Sequence, residues 1–163
     1  MTRGVIRHAG LIAMRLSGPW RGVLIEGPSG AGKSDLALRC LDAGFRLVAD
    51  DRVELFTAEG RLFGAPPAPL AGLIEVRGVG VLTVDPVPVA EVALVVRCGT
   101  AERIPDADHV DILGVAVAAL TLSPLEASAP AKLSRALALF DAEPNRRMKH
   151  GSRPGGRAGG DTR

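Results

Sequence analysis

Eight consecutive residues, Gly27-Pro28-Ser29-Gly30-Ala31-Gly32-Lys33-Ser34, carry the strongest chemical signal in the chain, because they satisfy the pattern G-x-x-x-x-G-K-[ST]. Glycines at these positions let the backbone wrap closely around phosphate oxygens, and the free N–H groups of a following helix point at the anion. Lys33 has the reach to meet β- and γ-phosphates, and the Ser34 hydroxyl is placed to join a Mg²⁺ shell. With only three lysines in 163 residues, the pattern arises by chance in roughly 0.3% of such chains, before a strand–loop–helix context is required. The bland alternative is an ordinary glycine-rich turn.

Three other groups could act on a bound phosphate. Asp50-Asp51 closes an apolar segment, and in open α/β sheets ligands sit at that end of a strand. Two adjacent carboxylates there can divide the work, one helping to hold a metal and the other taking a proton from an attacking hydroxyl. Asp-Asp-Arg is also good turn material, and the glycine loop upstream is what tips the reading to function. In Glu75-Val76-Arg77-Gly78-Val79-Gly80, Glu75 and Arg77 alternate onto one face of an expected strand, offering a carboxylate to Mg²⁺ and a guanidinium to phosphate oxygens. A cross-strand ion pair beside a bulge is the alternative there. His8 sits in an apolar context, His109 in an Asp-rich stretch expected to be a loop, and His150 among basic residues. Arg103 could serve as an arginine finger or stand as a surface arginine.

The elements that must position these groups can be read from periodicity. Val5–Leu16 gives one or two strands leading to a Ser17-Gly18-Pro19 turn, and Gly22–Glu26 is a buried strand feeding the glycine loop. Leu36, Ala37, Cys40 and Leu41 recur at helical spacing until Gly44. A strand over 45–49 then ends at Asp50. Val53–Phe56 and Arg61–Phe63 form a hairpin around Glu59-Gly60, the Pro66–Pro69 run breaks regular structure, and Val92–Val96 is another strand. Pro130 can open a helix, and Leu133, Leu137 and Phe140 give it one apolar stripe over 130–142 before Pro144. The fold class is α/β: a mixed sheet with a helix after the glycine loop and a C-terminal helix, carrying more antiparallel strand than a doubly wound nucleotide fold.

A length of 163 residues and 47% hydrophobic content suit one core, over residues 1–144. The N-terminus lacks the apolar stretch of a secretory leader, and no apolar run nears the twenty residues of a membrane span. Cys40 and Cys98 lack metal or redox spacing and read as buried free thiols of a cytoplasmic protein. Residues 145–163 hold six Lys and Arg against the single Asp161, a net +5, which leaves residues 1–144 at −3 within the whole-chain +2. That Gly- and Arg-rich tail is expected to be disordered and solvated. No aromatic interleaves its charges, so nucleic acid is not an expected partner, and neither is a membrane.

Taken together, His8, the glycine loop, Leu47-Val48-Ala49-Asp50-Asp51 and Leu73-Ile74-Glu75-Val76-Arg77-Gly78-Val79-Gly80 resemble, in this order, the catalytic domain of HPr kinase/phosphorylase. The resemblance runs from about His8 to Thr83 and more loosely from Val92 to Leu122. It implies an ATP- and Mg²⁺-dependent protein-serine kinase that modifies the phosphocarrier HPr of a bacterial phosphotransferase system. The implied P-loop fold is like that of phosphoenolpyruvate carboxykinase, and the implied assembly is a homo-oligomer. By the same resemblance Asp51 accepts the proton of the HPr serine with Asp50 beside it, and His8 supports that aspartate. Lys33 contacts phosphates, Ser34 and Glu75 hold Mg²⁺, and Arg103 matches a catalytic arginine.

Two departures shape the expectation. Seven residues precede His8, where the family usually carries a separate domain, so the chain resembles short single-domain members from α-proteobacteria. Thr121-Leu122-Ser123-Pro124-Leu125 stands where the family has a Pro-Gly-Arg-Asn element used in dephosphorylation, which favours the kinase reaction over the phosphorylase one. The competing readings are a small-molecule kinase with the same phosphate loop, and a non-catalytic module that senses ATP.

Overall fold

The computed structural model describes residues 4–106 and 108–142. The expected disorder of residues 145–163 and the stop at Pro144 lie outside the described residues. Eleven strands and two helices follow in the order β1 (Val5–Arg7), β2 (Gly10–Arg15), β3 (Trp20–Glu26), α1 (Lys33–Asp42), β4 (Arg46–Ala49), β5 (Val53–Ala58), β6 (Arg61–Ala65), β7 (Leu73–Val76), β8 (Gly80–Thr83), β9 (Ala90–Cys98), β10 (Asp108–Ile112), β11 (Val115–Leu122) and α2 (Ala129–Ala142). A single 3₁₀ turn, Ala68–Leu70, follows the proline run.

Nine strands form one mixed sheet, and β7 and β8 form a separate hairpin. The main order is β1-β5-β6-β9-β3-β2-β4. β9 is the spine: it runs parallel to β3 along one edge, while its other edge pairs with β6 near Ala90 and with β11, parallel, from Leu94 to Cys98. A register shift opposite Gly22/Val23 inserts one residue in β9. Adjacent Ala93 and Leu94 therefore both join the helix-side core, instead of alternating as a regular strand requires.

The sheet separates two cores. On one face Val23, Ile25, Leu94 and Val96 meet Leu36, Ala37 and Cys40 of α1 and Leu133 and Leu137 of α2. On the other, the sheet curls over Leu11, Leu24, Val53, Leu55, Leu62 and Val95. Gly64 of β6 permits that curl, because a Cβ there would stand 2.5 Å from Leu11 Cδ2 of β2, a strand three places away in the order. A side chain at 64 would have to push Leu11 out of its fully buried position.

The expected α1 and α2, the strand before the glycine loop, the β5–β6 hairpin and the antiparallel excess are all present. Two strands, β10 and β11, were not signalled by the pattern. His109 consequently lies in a strand paired with Ala118, not in a loop. Arg77 does not share a strand face with Glu75: β7 ends at Val76, and Gly78, at φ 83, turns the chain into β8. Cys40 is buried as expected, whereas Cys98 is half-buried.

Candidate active site around the glycine turn

β3 and α1 are joined by the turn that begins at Gly27, and His8, Lys33, Asp50, Asp51, Glu75 and Arg77 gather in front of it. The first turn of α1 has no side-chain N-cap, so its amides are left to meet an anion. Gly30 (φ 81) and Gly32 (φ 99) occupy the left-handed region that L side chains resist. Nothing lies within 4 Å of the place a Cβ would take at Gly30, so a ligand can approach the backbone there. Lys33 folds back over the turn, donating to the carbonyls of Gly27 at 2.7 Å and Pro28 at 3.0 Å.

A cleft of about 460 Å³ opens before this turn, within the range of roughly 300–1,000 Å³ usual for ligand sites. Ser29, Gly30, Gly32, Lys33 and Ser34 form one wall; His8, Asp50, Asp51, Glu75 and Arg77 form the other. Asp50, at the end of β4, is held by both oxygens. Ser34 Oγ donates to its Oδ1 at 2.9 Å, and the Glu75 N–H donates to its Oδ2 at 3.0 Å. It thus fastens the start of α1 to β7.

Asp51 is differently placed. Its Oδ1 and His8 Nε2 are hydrogen-bonded, and both side chains remain more than half exposed to the cleft. The Arg52 N–H donates to the Asp50 carbonyl at 2.7 Å, closing a three-residue turn that holds Asp51 at φ 66. Such a turn is uncommon and strained for a residue with a side chain, and strain of this kind collects at functional sites. It aims Asp51 toward His8 while Asp50 faces Ser34.

Oxygen donors from Ser34, Asp50 and Glu75 suit a small hard cation. Among the described residues, no group of three or more His, Cys, Asp or Glu forms a metal cage. The oxygen donors of Ser34, Asp50 and Glu75 themselves fit Mg²⁺, which takes one or two protein ligands and fills its shell with water and phosphate oxygens.

Arg103 is not brought to this place: it stands exposed between β9 and β10 and does not line the cleft. Three features escaped the sequence reading. Arg7 and Glu26 form an ion pair at 2.5 Å that ties the residue before His8 to the residue before Gly27. Arg39, on α1, donates to Asp35 at 2.9 Å and to the carbonyls of Pro124 and Glu126, strapping the segment after β11 against the helix. Leu125 of that segment is 73% exposed and lines the cleft. The adjacency of Arg7 to His8 and of Glu26 to Gly27 was a usable signal; nothing local to Leu125 was.

The Cys98 thiol packs under the turn, where a Cβ on Gly27 would stand 3.0 Å from Cys98 Cβ. Burial raises its pKa above 9.0, and the Lys33 ammonium pulls the other way. Burial pushes Cys40 up to about 12, against a smaller opposing pull from Arg39. Both thiols are protonated near neutrality. No helix among the described residues is long and apolar enough to cross a membrane.

Comparison with known proteins bears on this geometry. A family model described as HPr Serine kinase C-terminal domain matches residues 7–90. HPr kinase/phosphorylase from Clostridium tetani is 49% identical over 63 residues, and that from Streptococcus thermophilus 53% over 64; each match covers 39% of this chain. The matched stretch spans only about a fifth (21%) of the length of these curated relatives. The solved Hpr(Ser) kinase/phosphatase from Coxiella burnetii superposes with a TM-score of 0.73 at 25% identity, covering 86% of this chain and 99% of that one. The family match takes in just over half of the chain and every wall of the cleft except Leu125, and on that ground the chain belongs to the family of HPr serine kinase C-terminal domains.

Proposed function

We propose that this chain is an ATP-dependent kinase that phosphorylates a serine of the phosphocarrier HPr, and that its finer fold kinship is with phosphoenolpyruvate carboxykinase. The observation that carries the reading is the His8–Asp51 pair facing the glycine turn across one cleft. A carboxylate so placed can take the proton of an incoming hydroxyl, and a phosphate seated on the α1 amides lies opposite it.

Each residue then has a distinct task. The turn amides and Lys33 bind the β- and γ-phosphates, for which Lys33 exchanges its bonds to the Gly27 and Pro28 carbonyls. Ser34 and Glu75 would hold Mg²⁺, with Asp50 orienting the Ser34 hydroxyl; when bound, the ion neutralises charge on the phosphates. His8 holds the Asp51 carboxylate toward the acceptor. As the serine oxygen bonds to the γ-phosphorus and the bond to the β-phosphate oxygen breaks, Asp51 receives the serine proton. Arg77, on the exposed lip, can reach departing phosphate oxygens. Assembly as a homo-oligomer belongs to the same reading, and light scattering tests it.

Incubation of the protein with labelled ATP, Mg²⁺ and purified HPr tests the proposal. Label on an HPr serine is expected, and Asp51→Asn should abolish its appearance while ATP still binds. Label confined to a small metabolite, or ATP binding without any transfer, would replace this reading by one of its two rivals.

A further inference from the structure

A second hollow lies behind the glycine turn, away from the carboxylates. It holds about 300 Å³ and is lined by Ala31, Cys98, Thr100, Ser123, Pro124 and Leu125, with the Gly99 backbone at its base. Ala31 belongs to the turn itself, and Leu125 borders both this hollow and the cleft, so the two spaces adjoin at that side chain.

Leu125 is an unusual leucine. It is 73% exposed, yet its backbone neighbours on both sides are fixed, because Arg39 donates to the carbonyls of Pro124 and Glu126. Its Cδ2 lies 3.1 Å from where a Cβ on Gly32 would stand, and Pro124 Cγ lies 3.6 Å from the same point. Two apolar side chains are thereby held at the edge of the phosphate turn with their outer surfaces in water. An apolar cover held in place by Arg39 and left wet offers a further apolar surface a site at which both lose contact with water.

The occupant follows from the two exits open to a nucleotide whose phosphates sit on the turn. On the cleft side stand His8, Asp50, Asp51, Glu75 and Arg77, where the acceptor hydroxyl must enter. On the other side are apolar groups, a neutral thiol and the hydroxyls of Thr100 and Ser123, with Ser123 Oγ already donating to the Gly99 carbonyl at 3.1 Å. A flat purine with apolar faces and a hydroxyl-bearing ribose match the second set. We propose that this hollow is the nucleoside subsite, with Leu125 and Pro124 covering the purine. The inference rests on the kinase reading and deepens it, since it assigns the half of the nucleotide that the glycine turn does not touch.

Titration calorimetry on the full chain, with Mg·ATP and with Mg·pyrophosphate as separate probes, distinguishes the two halves. Leu125→Ala is expected to weaken ATP about tenfold, the factor that follows from losing most of one leucine's apolar cover, and to leave pyrophosphate within about twofold. Thr100→Trp, which fills the hollow from an exposed position, should show the same split. Equal losses for ATP and pyrophosphate would mean that Leu125 merely props the turn, and no loss for either would mean that the hollow is empty in the complex; both results overturn the subsite alone. A parent protein that binds neither probe overturns the phosphate turn, and the subsite with it.

Discussion

β3 and β9 run parallel, so their starts share one rim of the sheet and their ends share the other, and the two rims use charge in opposite ways. At the starting rim Glu91 is only 8% exposed; Arg21 pairs with its Oε2, and Arg61 Nε lies 3.6 Å from the same oxygen. The Trp20 ring beside them meets the guanidinium groups of Arg15 at 5.7 Å and Arg46 at 5.3 Å. At the ending rim, His8 and Asp51 pair while still wet, and Lys33 rests on carbonyls that it can release. Charged side chains hold the sheet together where they are packed against one another. They become available for chemistry where solvent and a cavity can reach them.

The largest expected effect breaks the comparison on the wet side. Asp51→Asn should lower phosphoryl transfer by about 10²–10⁴-fold, the usual contribution of a positioned base. Its unfolding free energy should move by less than about 1 kcal/mol, since an exposed hydrogen-bonded pair contributes little and Asn tolerates φ 66. Urea titration beside the HPr assay checks both halves. Next, Lys33→Ala should weaken Mg·ATP roughly 10–100-fold while leaving the melt unchanged, as calorimetry would show. On the packed rim the pattern inverts: Glu91→Ala should cost about 1–2 kcal/mol in urea unfolding, because it removes the nearly buried carboxylate that Arg21 and Arg61 share. Transfer per folded molecule should be untouched.

The smallest effect concerns pH. Cys40 titrates near 12 when folded and near 9.0 when free. The stability linked to its neutral thiol is therefore fully present below 9.0 and drains as the pH climbs toward 12. The slope cannot exceed about 1.4 kcal/mol per pH unit. Unfolding of the parent and of Cys40→Ala, compared at pH 8 and pH 10, should show the parent losing more.

How far these rims were legible in sequence depends on how local their signals are. The glycine turn, Asp50-Asp51 and the α1 stripe each lie in one short segment, and all appear where expected. β11 was missed because Ala116, Ala118 and Ala119 dilute the β preference of Val115 and Val117; what makes it a strand is pairing alongside β9. β10 follows from β11, to which alone it pairs among the described strands. Arg77 was assigned to the wrong geometry because alternation was extended one residue past the end of β7 at Val76, into the turn that Gly78 completes with its positive φ. The division between Asp50 and Asp51 was written nowhere in the dipeptide. It comes from a tight turn that sends two neighbouring side chains to different partners.

The support under Gly27 has a consequence for truncation and for synthesis. The phosphate motif is complete in sequence at Ser34, but its floor is Cys98, at the end of β9, and its cover is Leu125, in the segment that Arg39 straps down after β11. A fragment ending before residue 98 would still satisfy any pattern search for the motif. It would lack the wall against which the motif takes its shape, so an emerging polypeptide can set the turn on its floor only once β9 has been made through Cys98.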